Sequence, residues 1–354
     1  MMCIKVQHID ASGAGASALF VCDFADELAQ VWISAYSSRL NTVKLASMNN
    51  SRKVAGVAGV LSVIWIGMTA AIAASQRRLV FNPTVKREVD RPRSSGHRTR
   101  PVVLRATDGT KLSGWLMTPQ VVGPHPAVLY FGGRSEEVSW VVRDAGKLFP
   151  GMAVLAVNYR GYGASHGEPA EQLMVDDARL LFDWLAERHH VDPKRVAVVG
   201  RSLGSGVAVQ VAMERPVHCV VLITPYDSIL AIAKRRFRAV PVEYVLRHRF
   251  ESVKYAPSLT APTYVLRAAS DDVVPHSHTD VLVSKLGRLH LDEMIPDSDH
   301  MNIPYLDFTQ VRIASFLTQM FSQPFPATTV PDTLSTPEPG LVTQVSTVAE
   351  PEAD

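Results

Sequence analysis

The feature that most restricts what this chain can become is a short apolar run ending at a serine set between glycines. Val196-Ala197-Val198-Val199-Gly200 has the length and branched content of a buried strand, and Leu203 onward (LGSGVAVQVAME) reads as a helix. Ser202, in Gly200-Arg201-Ser202-Leu203-Gly204, falls on the turn between them. A serine on so tight a turn projects its hydroxyl from the sheet edge, and small flanking residues relieve crowding around it. The helix behind it adds free backbone N–H groups and the positive end of its dipole. That setting suits a nucleophile, whereas a structural turn serine is the simpler alternative. The rest of the chain has to discriminate between them.

Strand and helix patterns alternate over roughly 100–322. Pro101–Ala106 and Leu112–Thr118 read as an antiparallel pair joined at Asp108-Gly109. Apolar runs recur at Ala127–Phe131, Ala153–Val157, Cys219–Thr224, Thr263–Arg267 and His290–Ile295, separated by amphipathic stretches such as Leu173–Glu187, Ser205–Met213 and Asp307–Phe321. Short buried strands alternating with helices predict a mostly parallel α/β sheet covered on both faces. Chemistry in such sheets gathers at the carboxyl ends of the strands.

A nucleophilic serine needs a base, and the base needs an orienting acid. The loop after the strand at Thr263 carries Asp271 and Asp272; Asp271 heads D-x-V-V-P and is the preferred acid, with Asp272 as a solvated neighbour. After the last strand, Pro296-Asp297-Ser298-Asp299-His300 places His300 to reach back toward Ser202. His166, His276 and His278 read as loop or surface histidines, and His189-His190 as a pair favourably placed at a helix carboxyl end. The oxyanion of an acyl-transfer intermediate requires two N–H donors. Leu203 supplies one, and the loop Gly132-Gly133-Arg134-Ser135 the other, from Arg134 or alternatively Gly133.

Four segments occur in an order that resembles a known group: Tyr130-Phe131-Gly132-Gly133, the stretch NYRGYGASHGEP from Asn158 to Pro169, Gly200 to Gly206, and Asp271 to Pro275. Together they are similar to membrane-anchored α/β-hydrolases related to the serine-aminopeptidase-like group, which also contains depalmitoylases and lysophospholipid lipases. The resemblance covers roughly 76–321 and implies an α/β-hydrolase fold with the triad Ser202, Asp271 and His300. Arg134 departs from the pattern, since relatives commonly carry Asn there; a backbone donor survives the change, while the new cation alters which groups fit.

Val54 to Ala74 is 21 residues without a charge, closed by Arg52 and Lys53 on one side and Arg77 and Arg78 on the other. At about 1.5 Å per residue this matches a hydrocarbon core of roughly 30 Å, predicting a single transmembrane anchor, with a cleaved signal peptide as the rival. Positive-inside counting of Lys86, Arg87, Arg91, Arg93, Arg98 and Arg100 places the large domain in the cytoplasm, but signal-anchored hydrolases often face outward, so both orientations stay open. Residues 1–47 show no clear period, and Met48 resembles a natural start; peptides from 1–47 in the native protein would refute that start. Residues 324–354, rich in Pro and Thr without Lys or Arg, read as a disordered tail.

Residues 225–257 form an insertion of the size of a small helical lid, with Tyr226, Asp227 and the basic stretches Lys234-Arg235-Arg236-Phe237-Arg238 and Arg247-His248-Arg249. These charges read either as the solvated face of a helical cover or, together with the basic segment after the anchor, as a surface that meets anionic lipid. The net charge of +2 makes no case for nucleic acid. Cys3, Cys22 and Cys219 lack metal-ligand spacing, and Cys219 reads as core. Neither metal nor organic cofactor is implied. The expected activity is hydrolysis of a carboxylic ester or thioester at Ser202, with a serine peptidase, or a membrane-tethered interaction protein without turnover, as the alternatives.

Overall fold

Eight strands form one sheet in the computed structural model, which describes residues 51–86 and 92–326. They are β1 (His97–Arg105), β2 (Lys111–Pro119), β3 (His125–Phe131), β4 (Ala153–Val157), β5 (Val191–Arg201), β6 (Val220–Ile223), β7 (Thr263–Ser270) and β8 (Leu289–Asp299). Their spatial order is β1-β2-β4-β3-β5-β6-β7-β8. The first three in that order pair antiparallel, and every later pairing is parallel. The expected sheet is therefore present, with its strands lying within a few residues of the apolar runs.

Side-chain alternation along the central strands explains why helices cover both faces. Leu129, Phe131, Val198 and Leu222 enter one core cluster, while Val128, Tyr130, Ala197, Val199 and Val221 enter the other. The first is closed by α3 (Glu171–Ala186), through Met174, Ala178, Leu181 and Leu185, and by α4 (Leu203–Glu214), through Val207, Ala208 and Val211. The second is closed by α2 (Ser139–Leu148), through Val141, Val142 and Ala145, and by α9 (Asp307–Phe321), through Ile313, Phe316, Leu317 and Met320. Each Val, Leu, Ile, Met or Phe among them contributes about 1.5–3 kcal/mol when taken out of water. Cys219 lies fully buried in the second cluster, where burial pushes its thiol up and leaves it a core residue.

The segment Asn158 to Pro169 acts as a structural clamp. Arg160, buried, gives Nε and Nη2 to the Asp177 carboxylate of α3 at 2.6 and 2.8 Å, and Nη1 to Asp108 Oδ2 in the β1–β2 turn. The Arg160 bond to Asp108, with hydrogen bonds from the Thr110 N–H and hydroxyl, holds the Asp108 carboxyl well below the usual range.

The pair His189-His190 follows α3, but the placement expected to favour a cation is outweighed at His190. Burial, then the neighbouring His189, Arg100, His125 and Arg188, push its pKa down to about 4. The folded ring therefore stays neutral where the unfolded chain takes a proton. Between pH 6.5 and 4 stability falls as pH falls, by on the order of 1 kcal/mol once partial exposure is discounted. A His190→Gln variant should show a melting temperature less sensitive to pH across that window; an identical pH profile would contradict the assignment.

The apolar run lies in helix α1 (Ser51–Val80), whose stretch Ala58–Val80 is long and apolar enough to cross a membrane. The helix continues beyond the expected end at Ala74. From Trp65 onward it contacts the insertion between β6 and β7: Trp65 Nε1 donates to Ala239 O at 2.6 Å, and Gln76 accepts from Arg247 N–H at 2.8 Å. That insertion contains α5 (Ile229–Arg236), α6 (Val242–Val245) and α7 (Ser252–Tyr255), with α8 (His276–Val283) after β7. Lys234, Arg235, Arg236 and Arg238 are exposed, whereas Tyr226 and Asp227 are buried. The readings for 1–47, for Arg87 and Arg91, and for most of the 324–354 tail fall outside the described residues.

Candidate active site

Ser202 sits between β5 and α4 with φ 47° and ψ −116°, a conformation non-glycine residues seldom adopt. Its N–H is tied to Ile223 O at 2.8 Å, so the neighbouring strand holds the turn. The glycines on each side are sterically required. A Cβ on Gly204 would lie 2.2 Å from Phe131 O, and one on Gly200 would lie 2.4 Å from Gly204 O. The serine turn thus packs directly under the loop that leaves β3.

Two further loops meet it at the same sheet edge. His300, after β8, accepts or donates through Nε2 at 2.9 Å from Ser202 Oγ. Its Nδ1 lies 2.9 and 3.0 Å from the two oxygens of Asp271, after β7. Both side chains are only 5% exposed. Asp271 Oδ1 also accepts the N–H groups of Val273 and Val274 at 3.0 and 2.7 Å, which fixes the carboxylate plane. With Nδ1–H donating to that carboxylate, Nε2 carries the lone pair that faces the serine hydroxyl. The arrangement can pull a proton from Oγ as a carbonyl is attacked.

The competing residues are elsewhere. Asp272 is exposed. His278 is buried, but its Nδ1 pairs with Asp227 at 2.9 Å, and His166 is exposed in its loop. The structure brings Ser202, Asp271 and His300 together and leaves His166 and His278 out.

At the loop after β3, Gly133 lies against the serine turn: a Cβ there would be 3.6 Å from Ser202 Cβ. The Gly133 N–H, the alternative oxyanion donor of the sequence reading, instead donates to Glu136 Oε2 at 2.7 Å. Leu203 N–H belongs to the first turn of α4, whose amides have no partner within the helix. Residues just past α1 also hold this loop. Ser135 N–H donates to Phe81 O at 3.2 Å, Asn82 Nδ2 to Ser135 Oγ at 2.8 Å, and Thr84 Oγ1 to Ser135 O at 2.6 Å. Sequence reasoning did not single out Glu136, Tyr159 or Phe81–Thr84, because nothing in their local pattern reports a partner tens of residues away. Among the described residues no group of three or more His, Cys, Asp or Glu side chains is gathered to hold a metal ion.

Comparison with known proteins agrees with the α/β-hydrolase fold. Residues 123–240 match the family described as serine aminopeptidase, S33. That span includes the β3 loop and the serine turn and stops short of Asp271 and His300. An uncharacterized protein of Mycobacterium tuberculosis is 32% identical over 252 residues, covering 71% of this chain and 89% of its own length. A lysophosphatidylserine lipase of Danio rerio is 28% identical over 178 residues, 43% of this chain and 44% of the lipase. An esterase of Pyrococcus furiosus superposes with a TM-score of 0.52 at 21% identity, over 65% of this chain and 99% of the esterase.

Proposed function

The chain belongs to the serine aminopeptidase (S33) family of α/β-hydrolases, and from that premise we propose that it hydrolyses a carboxylic ester or thioester through an acyl-enzyme on Ser202. The observation that carries this reading is the unbroken hydrogen-bond chain from Ser202 Oγ through His300 to Asp271 at the strand edge. Ser202 Oγ attacks the carbonyl carbon as His300 Nε2 takes its proton. The N–H groups of Leu203 and Arg134 stabilise the oxyanion. The imidazolium, steadied by Asp271, then gives the proton to the departing alcohol or thiol, leaving the acyl group on Oγ. A water molecule deprotonated by the same imidazole attacks this acyl-enzyme, releasing the acid and restoring Ser202.

The substrate is met at a lipid surface in this reading. Support comes from the apolar stretch Ala58–Val80 and from the exposed cations Lys234, Arg235, Arg236 and Arg238 on an insertion that contacts the same helix. The insertion at 225–257 then serves as a lid over a hydrolase domain at 76–322. The lipase and esterase names among the similar proteins agree with an acyl ester as substrate.

A panel of p-nitrophenyl esters of rising chain length, run beside an acyl-thioester and a peptide amide, tests the activity. Turnover of esters or thioesters well above the amide is expected. Preferential amide cleavage would move the assignment to a peptidase, and no turnover of any substrate would sink hydrolysis. In a parallel arm with anionic vesicles, long-chain turnover should rise and added salt should remove the gain. Indifference to vesicles and salt would overturn the membrane part.

A further inference from the structure

The variable position of the serine motif, Arg201, forms an ion pair with Glu136 that lies outside the three residues of the proposed chemistry. Both side chains are almost fully buried, 5% and 4% exposed, with Arg201 Nη1 donating to Glu136 Oε2 at 2.8 Å. We infer that this pair is a positioning device that holds the oxyanion loop and the His300 loop in register on opposite sides of Ser202. The inference rests on the hydrolase reading above and assigns a role within that same site.

On one side, the Glu136 carboxylate accepts four hydrogen bonds. Oε1 receives Tyr130 OH and Trp140 Nε1–H, each at 2.8 Å, and Oε2 receives Gly133 N–H and the arginine. All four partners donate, so only an acceptor with no hydrogens of its own suits the position. The carbonyl of Gly132 meanwhile accepts Tyr159 OH at 3.0 Å. Gly132 C=O and Gly133 N–H are the two ends of a single peptide plane, so Tyr159 and Glu136 pin that plane at both ends. With it pinned and the loop pressed against Ser202, the direction of the following amide, that of Arg134, is set as well.

On the other side, Arg201 Nη2 donates to the carbonyls of His300 and Met301 at 3.1 and 3.2 Å, and the guanidinium faces the Tyr305 ring. The backbone that carries the imidazole is therefore gripped by the same side chain that anchors Glu136. Stability alone does not account for the choice. A buried ion pair is commonly replaceable by apolar residues without loss, and here Arg201 Nε remains buried without a hydrogen-bond partner. What apolar residues cannot reproduce is the link from the Gly133 amide to the His300 carbonyl.

The test uses the full chain in detergent micelles, with p-nitrophenyl butyrate as substrate and active sites titrated by a fluorophosphonate. Arg201→Lys keeps a cation for Glu136, but a single ammonium does not also span both carbonyls. It should lower kcat per titrated site about 10–100-fold with KM within about threefold and little change in melting temperature. The charge-neutral double variant Glu136→Gln with Arg201→Met removes the pair without stranding a buried charge. Its amide opposes one of the remaining donors, so its melting temperature should fall, and kcat per titrated site should drop about 100–1000-fold. A purely structural pair predicts the reverse: kcat per titrated site unchanged, with any loss of activity following the melting temperature. Either variant behaving so overturns the inference, and the lysine variant decides alone if the double variant does not fold. A wild-type protein that takes no label and turns over no ester overturns the hydrolase reading and this one with it. Active wild type with unimpaired variants overturns only the positioning role.

Discussion

Replacing Ser202 by alanine should lower kcat on a p-nitrophenyl ester by on the order of 10⁴–10⁶-fold and abolish covalent labelling by a fluorophosphonate. The fold should survive, since the contacts that define this turn are made by its backbone: Ser202 N–H to Ile223 O, and Ser202 O accepting from Ser205 at 2.6 Å through Oγ. Among the described residues the hydroxyl hydrogen-bonds to His300 alone. Removing it deletes the nucleophile and leaves the imidazole and its acid in place, so residual activity reports what the oxyanion donors achieve with water alone. Undiminished labelling of the alanine variant would show that the reactive residue lies elsewhere, and the functional proposal would fall.

Asp271→Asn carries the second large effect, a loss of about 10³–10⁴-fold in kcat with KM little changed. The geometry gives the reason. Two backbone N–H groups, of Val273 and Val274, already donate to Oδ1 and would keep an amide oxygen in that place. The amide NH₂ would then face His300 Nδ1, forcing the ring to carry its proton on Nε2, where it opposes the serine hydroxyl instead of accepting from it. Asp272→Asn, one residue away and exposed, should leave kcat within about twofold. Kinetics of the two variants side by side check the choice between adjacent aspartates. A loss confined to Asp272→Asn would reverse it.

The sheet was readable because its signals are local. Runs such as Ala153–Val157 and Val196–Gly200 combine branched residues with turn residues at their ends, and the structure places β4 and β5 over them. Helix α2 escaped notice, since Ser139–Leu148 mixes Arg143, Asp144 and Lys147 with its apolar positions over only ten residues. The helices of the 225–257 insertion were not legible one by one, being four to eight residues long. His190 went against expectation because helix-end electrostatics is a local rule, whereas burial beside Arg100 and His125 is a product of the fold.

By itself the sequence determined the alternating architecture, the serine turn between Gly200 and Gly204, and the order in which an acid and a histidine follow it. These depend on periodicity and on the conformations that glycine permits over a few residues. Only the tertiary structure decided that Asp271 faces His300, that Gly133 spends its N–H on Glu136, and that Arg201 grips the backbone of the His300 loop. The residues concerned are separated by between 3 and 99 positions, and the longer links exist only once parallel strands bring their carboxyl ends to one edge. A hydrogen bond has a direction and a length of about 3 Å, and no pattern along the chain encodes either across such separations.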